Sequence, residues 1–393
     1  MRAVLTLFRD AYTGLPAATW LLALAAFINR AGAMVLPFLQ IYMGQRWGWS
    51  VQEAGAVISI CGVGAVLGSL FGGTLCDRIG PVNVQILSLG VALVWFQLLG
   101  FVGDPYLFGA GMFVLGFVND MFRPGNFAAA VESCAPHLRA KALALNRLAL
   151  NAGWAIGPAL GGLLSGIDWQ WLFVVDGLTC GAAACYLFAF RHRLPRVAAR
   201  IAGATAGPSP WSDGHYLWLC TLSTIALIVF MQYVFTESRY LHDELHVDKQ
   251  QIGLLLSVNP IIIVTCEMAI VQGLRNRRPL PLVALGMLLV GGGLALLPLA
   301  THGLWMVIVS LLIVTIGEML WSPFLGAYLQ DIAPANSRGR YMGVYTATIS
   351  ASMIAAPYLG GLVYDDVSPD ALWYACGIGG ALTALAFLAA QRR

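Results

Sequence analysis

The sequence predicts an all-α membrane protein in which twelve transmembrane helices form two six-helix bundles. Three observations lead to this fold class: the composition, the number of long apolar runs, and a repeat that relates the two halves of the chain. Of the 393 residues, 59% are hydrophobic and 10% are charged, and the mean hydropathy is +0.76. Soluble domains carry about 25% charged residues. This chain therefore has too few charges to cover the surface of a soluble fold of its length.

Long apolar runs recur along the whole chain. A bilayer core about 30 Å thick requires roughly 20 apolar residues per helix, and about twelve runs reach this length. The first run lacks the short apolar core and cleavage site of a signal peptide, so we expect it to remain as an anchor. The runs, called spans 1 to 12 below, cover residues 17–42, 52–75, 83–103, 106–131, 142–166, 169–190, 215–240, 250–272, 280–300, 304–330, 342–364 and 371–389.

Lysine and arginine are distributed unevenly over the predicted loops. Basic residues accumulate on the cytoplasmic side of membrane proteins. Placing the amino terminus in the cytoplasm leaves only Arg46 and Lys249 in the outer loops. We therefore expect an integral protein of the bacterial inner membrane with both termini in the cytoplasm. The basic residues on the predicted cytoplasmic side are Arg2, Arg9, Arg78, Arg139, Lys141, Arg191, Arg193, Arg196, Arg200, Arg275, Arg277, Arg278, Arg338, Arg340, Arg392 and Arg393.

One long polar stretch, residues 191–214, divides the chain. It is basic at first and then rich in Pro, Gly and small residues, which is typical of a flexible linker. We expect an amino-terminal bundle at 1–190, this cytoplasmic linker, and a carboxy-terminal bundle at 215–393. A basic run beside a membrane helix favours contact with lipid headgroups over nucleic acid.

The two halves repeat each other. The segment that begins at Cys134 matches the one that begins at Ile332, and the pairing sets Pro158 opposite Pro357 and Gly55 opposite Gly253. Repeats of this kind build many secondary transporters, in which the substrate site lies near mid-membrane between the halves. The repeat therefore predicts a transporter.

The loop "GGTLCDRIGP", residues 72–81, resembles the signature G-x-L-x-D-R-x-G-R-R between helices 2 and 3 of the major facilitator superfamily. Pro81 and Val82 replace its final basic pair. The resemblance implies that the aspartate latches the amino-terminal half to span 11 and stabilises an outward-open state. We expect Glu132, at the end of span 4, to hold Arg78 in the same cluster; the alternative is a set of solvated loop charges. The matching residues are Gly73, Leu75, Asp77, Arg78 and Gly80.

The stretch "NAGWAIGPALGG", residues 151–162, resembles the helix-5 signature G-x-x-x-G-P-x-x-G-G of the proton-coupled antiporters of that superfamily. Arg123 matches the span-4 arginine of its drug:proton antiporter branch. Glycines on one side of a proline-bent helix also permit ordinary tight packing. The matching residues are Gly153, Gly157, Pro158, Gly161 and Gly162.

Charged residues lie at mid-depth in otherwise apolar spans. Each charge costs about 2.5–3.5 kcal/mol at the centre of a membrane helix, so such residues usually serve function. We predict that Asp120 and Glu318 carry the coupling proton and that Arg123 modulates Asp120, because a buried carboxylate stays ionised beside an arginine and takes up a proton when the arginine leaves. The alternative is an ion pair, such as Arg30 with Asp120, retained for packing alone.

Further polar residues complete the predicted sites. Glu237 and Glu267 are the next candidates for the proton, and Asp176 lies nearer the outer side of span 6. The predicted substrate cavity is lined by Asn29, Arg30, Arg123, Gln232, Glu318 and Trp321.

The leading functional prediction is a secondary active transporter that works by alternating access, as a proton-coupled antiporter that exports small amphipathic compounds or metabolites. No P-loop sequence is present, so we expect the proton gradient to supply the energy, with no cofactor and no metal. The expected partners are a small-molecule substrate, protons and membrane lipids, with no nucleic acid, and the expected state is a monomer.

Two other functional classes are alternatives. The first is a proton-coupled symporter that takes up a peptide-like or carboxylate-bearing substrate. Span 1 faintly resembles the first helix of proton-dependent oligopeptide transporters, although Phe27, Ile28 and Asn29 replace the paired glutamates of that family. The second is a membrane-embedded enzyme or receptor, which would need a catalytic cluster or a sizeable soluble domain. The sequence offers neither, so we do not expect an enzyme; it leaves the substrate open.

Overall fold

The structure is a computed structural model that describes residues 14–194, 208–334 and 337–390. Within these ranges the only regular secondary structure is helical, and no strand occurs. The predicted all-α class is therefore confirmed. The predicted linker falls largely on residues 195–207, which lie outside the described ranges, so its character and the domain boundaries at 190 and 215 stay predictions.

The α-helices of the described residues are numbered here in chain order. They are α1 Ala17–Ala31, α2 Val35–Trp47, α3 Val51–Ile79, α4 Pro81–Gly100, α5 Pro105–Asp120, α6 Phe122–Glu132, α7 Arg139–Ser165, α8 Gln170–Phe190, α9 Gly214–Phe235, α10 Glu237–Asp243, α11 Lys249–Leu274, α12 Pro279–Leu294, α13 Leu304–Ile332, α14 Arg338–Asp366 and α15 Pro369–Ala390.

Eleven helical segments of the described chain are long and apolar enough to cross a membrane. The remaining predicted span, span 9, is apolar but shorter, because α12 has 16 residues and ends at Leu294. The predicted end of span 9 at residue 300 was wrong. Three successive glycines, 291–293, favour an early end, and a 3-10 turn, Leu297–His302, follows with Pro298 near its start. The chain is an integral membrane protein.

Three of the spans are not single helices. Span 1 consists of α1 and α2, which are separated by the non-helical residues 32–34. Span 4 bends at Met121 between α5 and α6, and span 7 bends at Thr236 between α9 and α10. The bend in span 4 has a local cause: Pro124 has no amide hydrogen, and its ring crowds the carbonyl of Asp120 four residues earlier. Non-helical backbone at membrane depth is tolerated only where protein or a wet cavity surrounds it.

The chain divides into two compact units. The first comprises the described residues within Met1–Phe38, Ile60–Arg200 and Lys249–Val264. The second comprises those within Leu39–Ser59, Ile201–Asp248 and Thr265–Arg393. Each unit therefore includes a short part of the other predicted half: the start of span 8 belongs to the first unit, and the end of span 1 with the start of span 2 belongs to the second.

Small residues bring the helices of each unit close together. In the first unit, a Cβ added to Gly72 in span 2 would lie 2.8 Å from the carbonyl oxygen of Met121 in span 4. In the second unit, a Cβ at Gly286 would lie 2.7 Å from the carbonyl oxygen of Gly317, and one at Gly380 would lie 2.7 Å from the Cα of Gly291. Such close backbone contact is the usual way in which membrane helices associate.

Candidate functional site

An ion pair lies at the bend of span 4. Nη2 of Arg123 is 2.9 Å from Oδ1 of Asp120, and the two residues are three positions apart. The side chain of Asp120 is 15% exposed, whereas that of Arg123 is 45% exposed. The bend that Pro124 produces places the buried carboxylate at the end of α5 and the arginine at the start of α6. The arginine can therefore move while the carboxylate stays buried.

Arg30, at the end of α1, is the second cation of this unit. It lies within electrostatic range of Asp120, Arg123 and Asp176, and its guanidinium carbon is 5.8 Å from the ring centre of Trp154. Its Nε is buried and has no hydrogen-bond partner among the described residues. Arg30 is thus a cation within electrostatic range of two carboxylates, with its Nε donor still available.

The side chain of Asn29 contacts span 6. Its side-chain amide donates to Sγ of Cys180 in span 6, with Nδ2 3.4 Å from the sulfur, and the residue is buried. This contact belongs to the packing of span 1 on span 6. It gives no support to the predicted role of Asn29 in a substrate cavity.

The break in span 1 is held by span 6. The amide of Val35 donates to Oδ2 of Asp176 at 3.4 Å, and the amide of Met34 also donates to this carboxylate. Gly32 lies against Thr179, because a Cβ at Gly32 would lie 2.6 Å from the Cβ of Thr179. This arrangement was not predicted from the sequence. Its signals were a glycine at the centre of span 1 and an aspartate within an apolar span.

The glycines of the span-5 motif face the same break. A Cβ at Gly153 would lie 2.7 Å from the Cβ of Arg30, one at Gly157 would lie 2.8 Å from the carbonyl oxygen of Ala33, and one at Gly161 would lie 2.8 Å from the Cβ of Met34. Three of the four predicted glycines therefore let span 5 lie directly on span 1, between Arg30 and Met34.

The fourth glycine of the motif faces span 8. Gly162 lies 3.1 Å, measured from its added Cβ, from the Cα of Gly253, and Gly253 in turn lies against the carbonyl oxygen of Pro158. Beside this crossing, Nζ of Lys249 donates to the carbonyl oxygen of Ser165 at 3.1 Å. A cation at the carboxyl end of a helix is favourable, so Lys249 stabilises the end of α7.

The second unit contains the equivalent crossing, as the repeat predicts. Gly55 of span 2 lies against the backbone of Pro357 in span 11, with its added Cβ 2.8 Å from the Pro357 carbonyl carbon. The amide of Gln52 donates to Oδ2 of Asp365 at 2.7 Å. The pairs Gly55 with Pro357 and Gly253 with Pro158 are thus related by the internal repeat.

The predicted latch residues lie at one end of the first unit. Gly80 connects α3 to α4 with φ +89°, a conformation that favours glycine, and Pro81 begins α4. Asp77, Arg78 and Glu132 are exposed, and Gly73 is half-buried. Glu132 lies within electrostatic range of Arg139. The structure thus gives Glu132 a different cationic neighbour from the predicted Arg78, and the latch itself stays a prediction.

The carboxylates of the second unit lie beside an aromatic row. The ring centres of Trp321 and Phe230 are 5.7 Å apart, and those of Phe230 and Tyr233 are 5.8 Å apart. Tyr233 lies within electrostatic range of both Glu237 and Glu318. Glu237 is buried and Glu318 is half-buried. The structure thus places both the predicted Glu318 and Glu237, the next candidate for the proton, near Tyr233.

Gln232 and Trp321 were predicted to line the cavity. Nε2 of Gln232 donates to the carbonyl oxygen of Ala356 at 2.8 Å, and its Oε1 accepts from Oγ1 of Thr236 at 2.9 Å. The first bond joins span 7 to span 11 and the second lies within span 7, so the cavity role of Gln232 is left without support. Trp321 is buried, and its Nε1 has no hydrogen-bond partner within the described part of the chain.

Comparison with known proteins agrees with this architecture. The family model of the Major Facilitator Superfamily matches residues 20–357 and 219–393. A Na(+), Li(+), K(+)/H(+) antiporter from Planococcus maritimus is 20% identical over 375 residues, which cover 84% of this chain and 85% of the relative. The multidrug resistance protein MdtG from Proteus mirabilis (strain HI4320) is 27% identical over 142 residues, which cover 35% of this chain and 35% of the relative.

Solved structures share the fold. A peptide transporter, POT, in complex with sulfate superposes with a TM-score of 0.81 at 16% sequence identity, and the match covers 97% of this chain and 96% of that chain. Identity this low shows the fold alone. The family is one of transporters and not of enzymes. The twelve helical segments, the internal repeat and the family match together show that this chain belongs to the major facilitator superfamily.

Proposed function

We propose that this secondary transporter is a proton-coupled antiporter that exports small amphipathic compounds or metabolites by alternating access. The observation that carries the proposal is the buried carboxylate of Asp120 with two arginines around it, one of which, Arg123, is half-exposed and able to move. An ionisable group at membrane depth usually marks an ion or substrate path.

The coupling step follows from these contacts. Arg123, at 2.9 Å, favours the ionised form of the Asp120 carboxylate, which burial opposes. When Arg123 turns away or binds an anionic group, the buried carboxylate loses its partner, and proton uptake becomes favourable. Return of the arginine expels the proton. A conformational cycle that moves Arg123 thus carries protons across the membrane in exchange for substrate.

The span-5 glycines connect this step to the helices that move. They hold span 5 on span 1 beside Arg30, and the neighbouring Gly162 holds span 5 on span 8. A change at Arg30 is therefore transmitted to span 5 through backbone contacts, which do not yield as flexible side chains do. The relatives include an antiporter and a multidrug resistance protein, which supports antiport of drug-like compounds.

A second candidate function is proton-coupled uptake of a peptide-like or carboxylate-bearing substrate. The specific observation in its favour is Arg30, whose buried Nε has no hydrogen-bond partner among the described residues. A guanidinium with a free donor suits a carboxylate. The fold shared with a peptide transporter is compatible with this function.

We further propose that the protein acts as a monomer in the bacterial inner membrane, in contact with its lipids, with both termini in the cytoplasm. The distribution of basic residues over the loops supports this orientation.

The two candidate functions differ in the direction of the proton. Purified protein is reconstituted in liposomes that contain a pH-sensitive dye, and two probes are added in turn: the amphipathic cation ethidium and the dipeptide Ala-Ala. For the proposed antiporter, an ethidium gradient drives protons the opposite way. For the symporter, a dipeptide gradient drives protons the same way. Proton movement with Ala-Ala and none with ethidium would contradict the proposed export function.

A further inference from the structure

The inference concerns Asp176 in span 6, and it rests on the proposed proton coupling. Asp176 is buried, at 6% exposure, and lies within two turns of the start of α8. It faces the one place where span 1 is interrupted. The carboxylate accepts the amides of Met34 and Val35 at the start of α2. The first amides of a helix have no intrahelical acceptor, so this carboxylate satisfies donors that the break leaves open.

Spans 5 and 6 pack against the break in span 1, so the geometry of the break depends on their contacts with it. Span 5 lies against Ala33 and Met34 through Gly157 and Gly161, and span 6 lies against Gly32 through Thr179. The amide of Met34 also donates to the carbonyl oxygen of Gly32 at 2.7 Å. Val35 has Asp176 as its side-chain acceptor. Loss of the negative charge on Asp176 therefore weakens the cap at the start of α2 while the surrounding helices stay in place.

A cation and a thiol lie within electrostatic range of Asp176. On span 1 the facing group is Arg30, and on its own helix it is Cys180. Arg30 is also within electrostatic range of Asp120 and Arg123 in span 4. One arginine is therefore shared by two carboxylates on two different spans. Movement of Arg30 toward Asp120 takes the cation away from Asp176, and movement toward Asp176 takes it away from Asp120.

We propose that Asp176 is a second proton-binding residue of the transport cycle. When Asp176 is protonated, its hydrogen bonds to the start of α2, at the break in span 1, are weakened. In the ionised form Asp176 holds Met34 and Val35 and attracts Arg30. In the protonated form it retains a neutral carbonyl oxygen, which accepts hydrogen bonds more weakly than a carboxylate. The proton comes from water and returns to it when Arg30 swings back. Asp120 and Asp176 thus take up their protons alternately, each when Arg30 lies nearer the other carboxylate.

The test reads the carboxyl proton and the helix cap directly, without substrate. Infrared difference spectra of the full-length protein in lipid nanodiscs, recorded between neutral and acidic pH, detect protonated carboxyl groups. Hydrogen–deuterium exchange at the same pH values, corrected for intrinsic rates, follows the amides of Met34 and Val35. We expect a carboxyl band that Asp176→Asn removes and Asp120→Asn leaves, and exchange at these amides about ten- to hundredfold faster when the band is present, as loss of one charged hydrogen bond implies.

Two further variants keep the test decisive. Asp176→Glu retains a carboxyl group, so the band should shift in frequency and remain, even if Asp176→Asn folds poorly. Asp168→Asn, an exposed carboxylate just before the same span, should change neither the band nor the exchange. A wild-type band that neither Asp176 variant alters, or amide exchange at Met34 and Val35 that is independent of pH, would overturn the proposal.

The outcome is separable from that of the proposed function. If the infrared band belongs to Asp176 and the exchange follows it, the inference stands even when ethidium moves no protons. If ethidium drives protons through Asp120 while the spectra of the Asp176 variants equal those of wild type, the proposed function stands and this inference fails.

Discussion

The contact of span 5 with span 8 provides a prediction whose magnitude follows from the backbone. A Cβ at Gly253 would lie 3.0 Å from the Cα of Gly162 and closer still to the carbonyl oxygen of Pro158. Both neighbours are backbone atoms, so Gly253→Ala has to push the two helices apart by about 1 Å to restore ordinary contact, and overpacking of this kind costs about 1–3 kcal/mol.

The same helix offers a matched control. Gly273, near the end of α11, has no atom within 4 Å of its added Cβ among the described residues. Gly273→Ala should gain the helix-propensity difference between glycine and alanine, about 1 kcal/mol at most. Gly253→Ala gains the same helix propensity but loses the close packing of span 8 on span 5. The free energy of unfolding in mixed micelles, measured by titration with a denaturing detergent, should therefore be about 1–3 kcal/mol lower for Gly253→Ala than for Gly273→Ala.

The functional consequence is equally specific. Gly253→Ala should also slow ethidium-driven proton movement, since span 5 carries the change at Arg30 to span 8. Equal stabilities and equal transport rates of the two variants would refute the reasoning that this backbone crossing is needed for the fold and the cycle.

Three further predictions concern Arg123, Gly32 and Asp77. Arg123→Ala leaves Asp120 without its partner at 2.9 Å, favours the protonated carboxyl, and should move the pH optimum of transport upward in a proteoliposome pH series; an unchanged optimum would contradict the coupling role of Arg123. Gly32→Ala meets the side chain of Thr179 and should lower thermal stability, with partial recovery in the double variant with Thr179→Ala; full additivity of the two changes would argue against the contact. Asp77→Asn should shift spin-label distances at the predicted cytoplasmic face toward an inward-open state, whereas lost transport with unchanged distances would indicate a role other than a latch.

The sequence was sufficient to predict the fold class, because membrane helices need long apolar runs and the repeat leaves matching prolines and glycines. Pro158 with Pro357 and Gly55 with Gly253 were paired from the sequence, and the structure places each pair in an equivalent crossing. Span lengths were harder to predict. Residues 291–300 remain apolar, but three glycines and Pro298 end the helix at Leu294. Hydropathy alone does not show where the backbone leaves the helical conformation.

The candidate site was predicted only in part. Asp120 and Arg123 could be placed together because a spacing of three residues sets them on one helical face, and the structure gives them an ion pair. Gln232 could not be assigned in the same way. Whether a buried amide faces a cavity or a neighbouring backbone depends on the helix beside it, which here presents the carbonyl of Ala356.

The role of Asp176 could not be predicted from its own span. Nothing in its own span indicates a partner, since its acceptor role arises from the break in span 1, about 140 residues earlier in the chain. The break itself had local signals in Gly32 and in Pro37, whose ring crowds the carbonyl of Ala33 four residues earlier. Glu132 likewise has Arg139 in range, and the turn between spans 4 and 5, rather than the signature loop, brings the two together.

The central claim is that Asp120 carries the transported proton, and one measurement tests it most directly. Wild-type protein, Asp120→Asn and the control Asp366→Asn, an exposed carboxylate at the end of span 11, are reconstituted with an internal pH dye, and proton movement driven by an ethidium gradient is recorded. The account predicts that Asp120→Asn loses ethidium-driven proton movement while thermal-shift binding of ethidium persists, and that Asp366→Asn behaves as wild type. Normal proton movement through Asp120→Asn would contradict the account and would direct attention to Glu318 and Glu237.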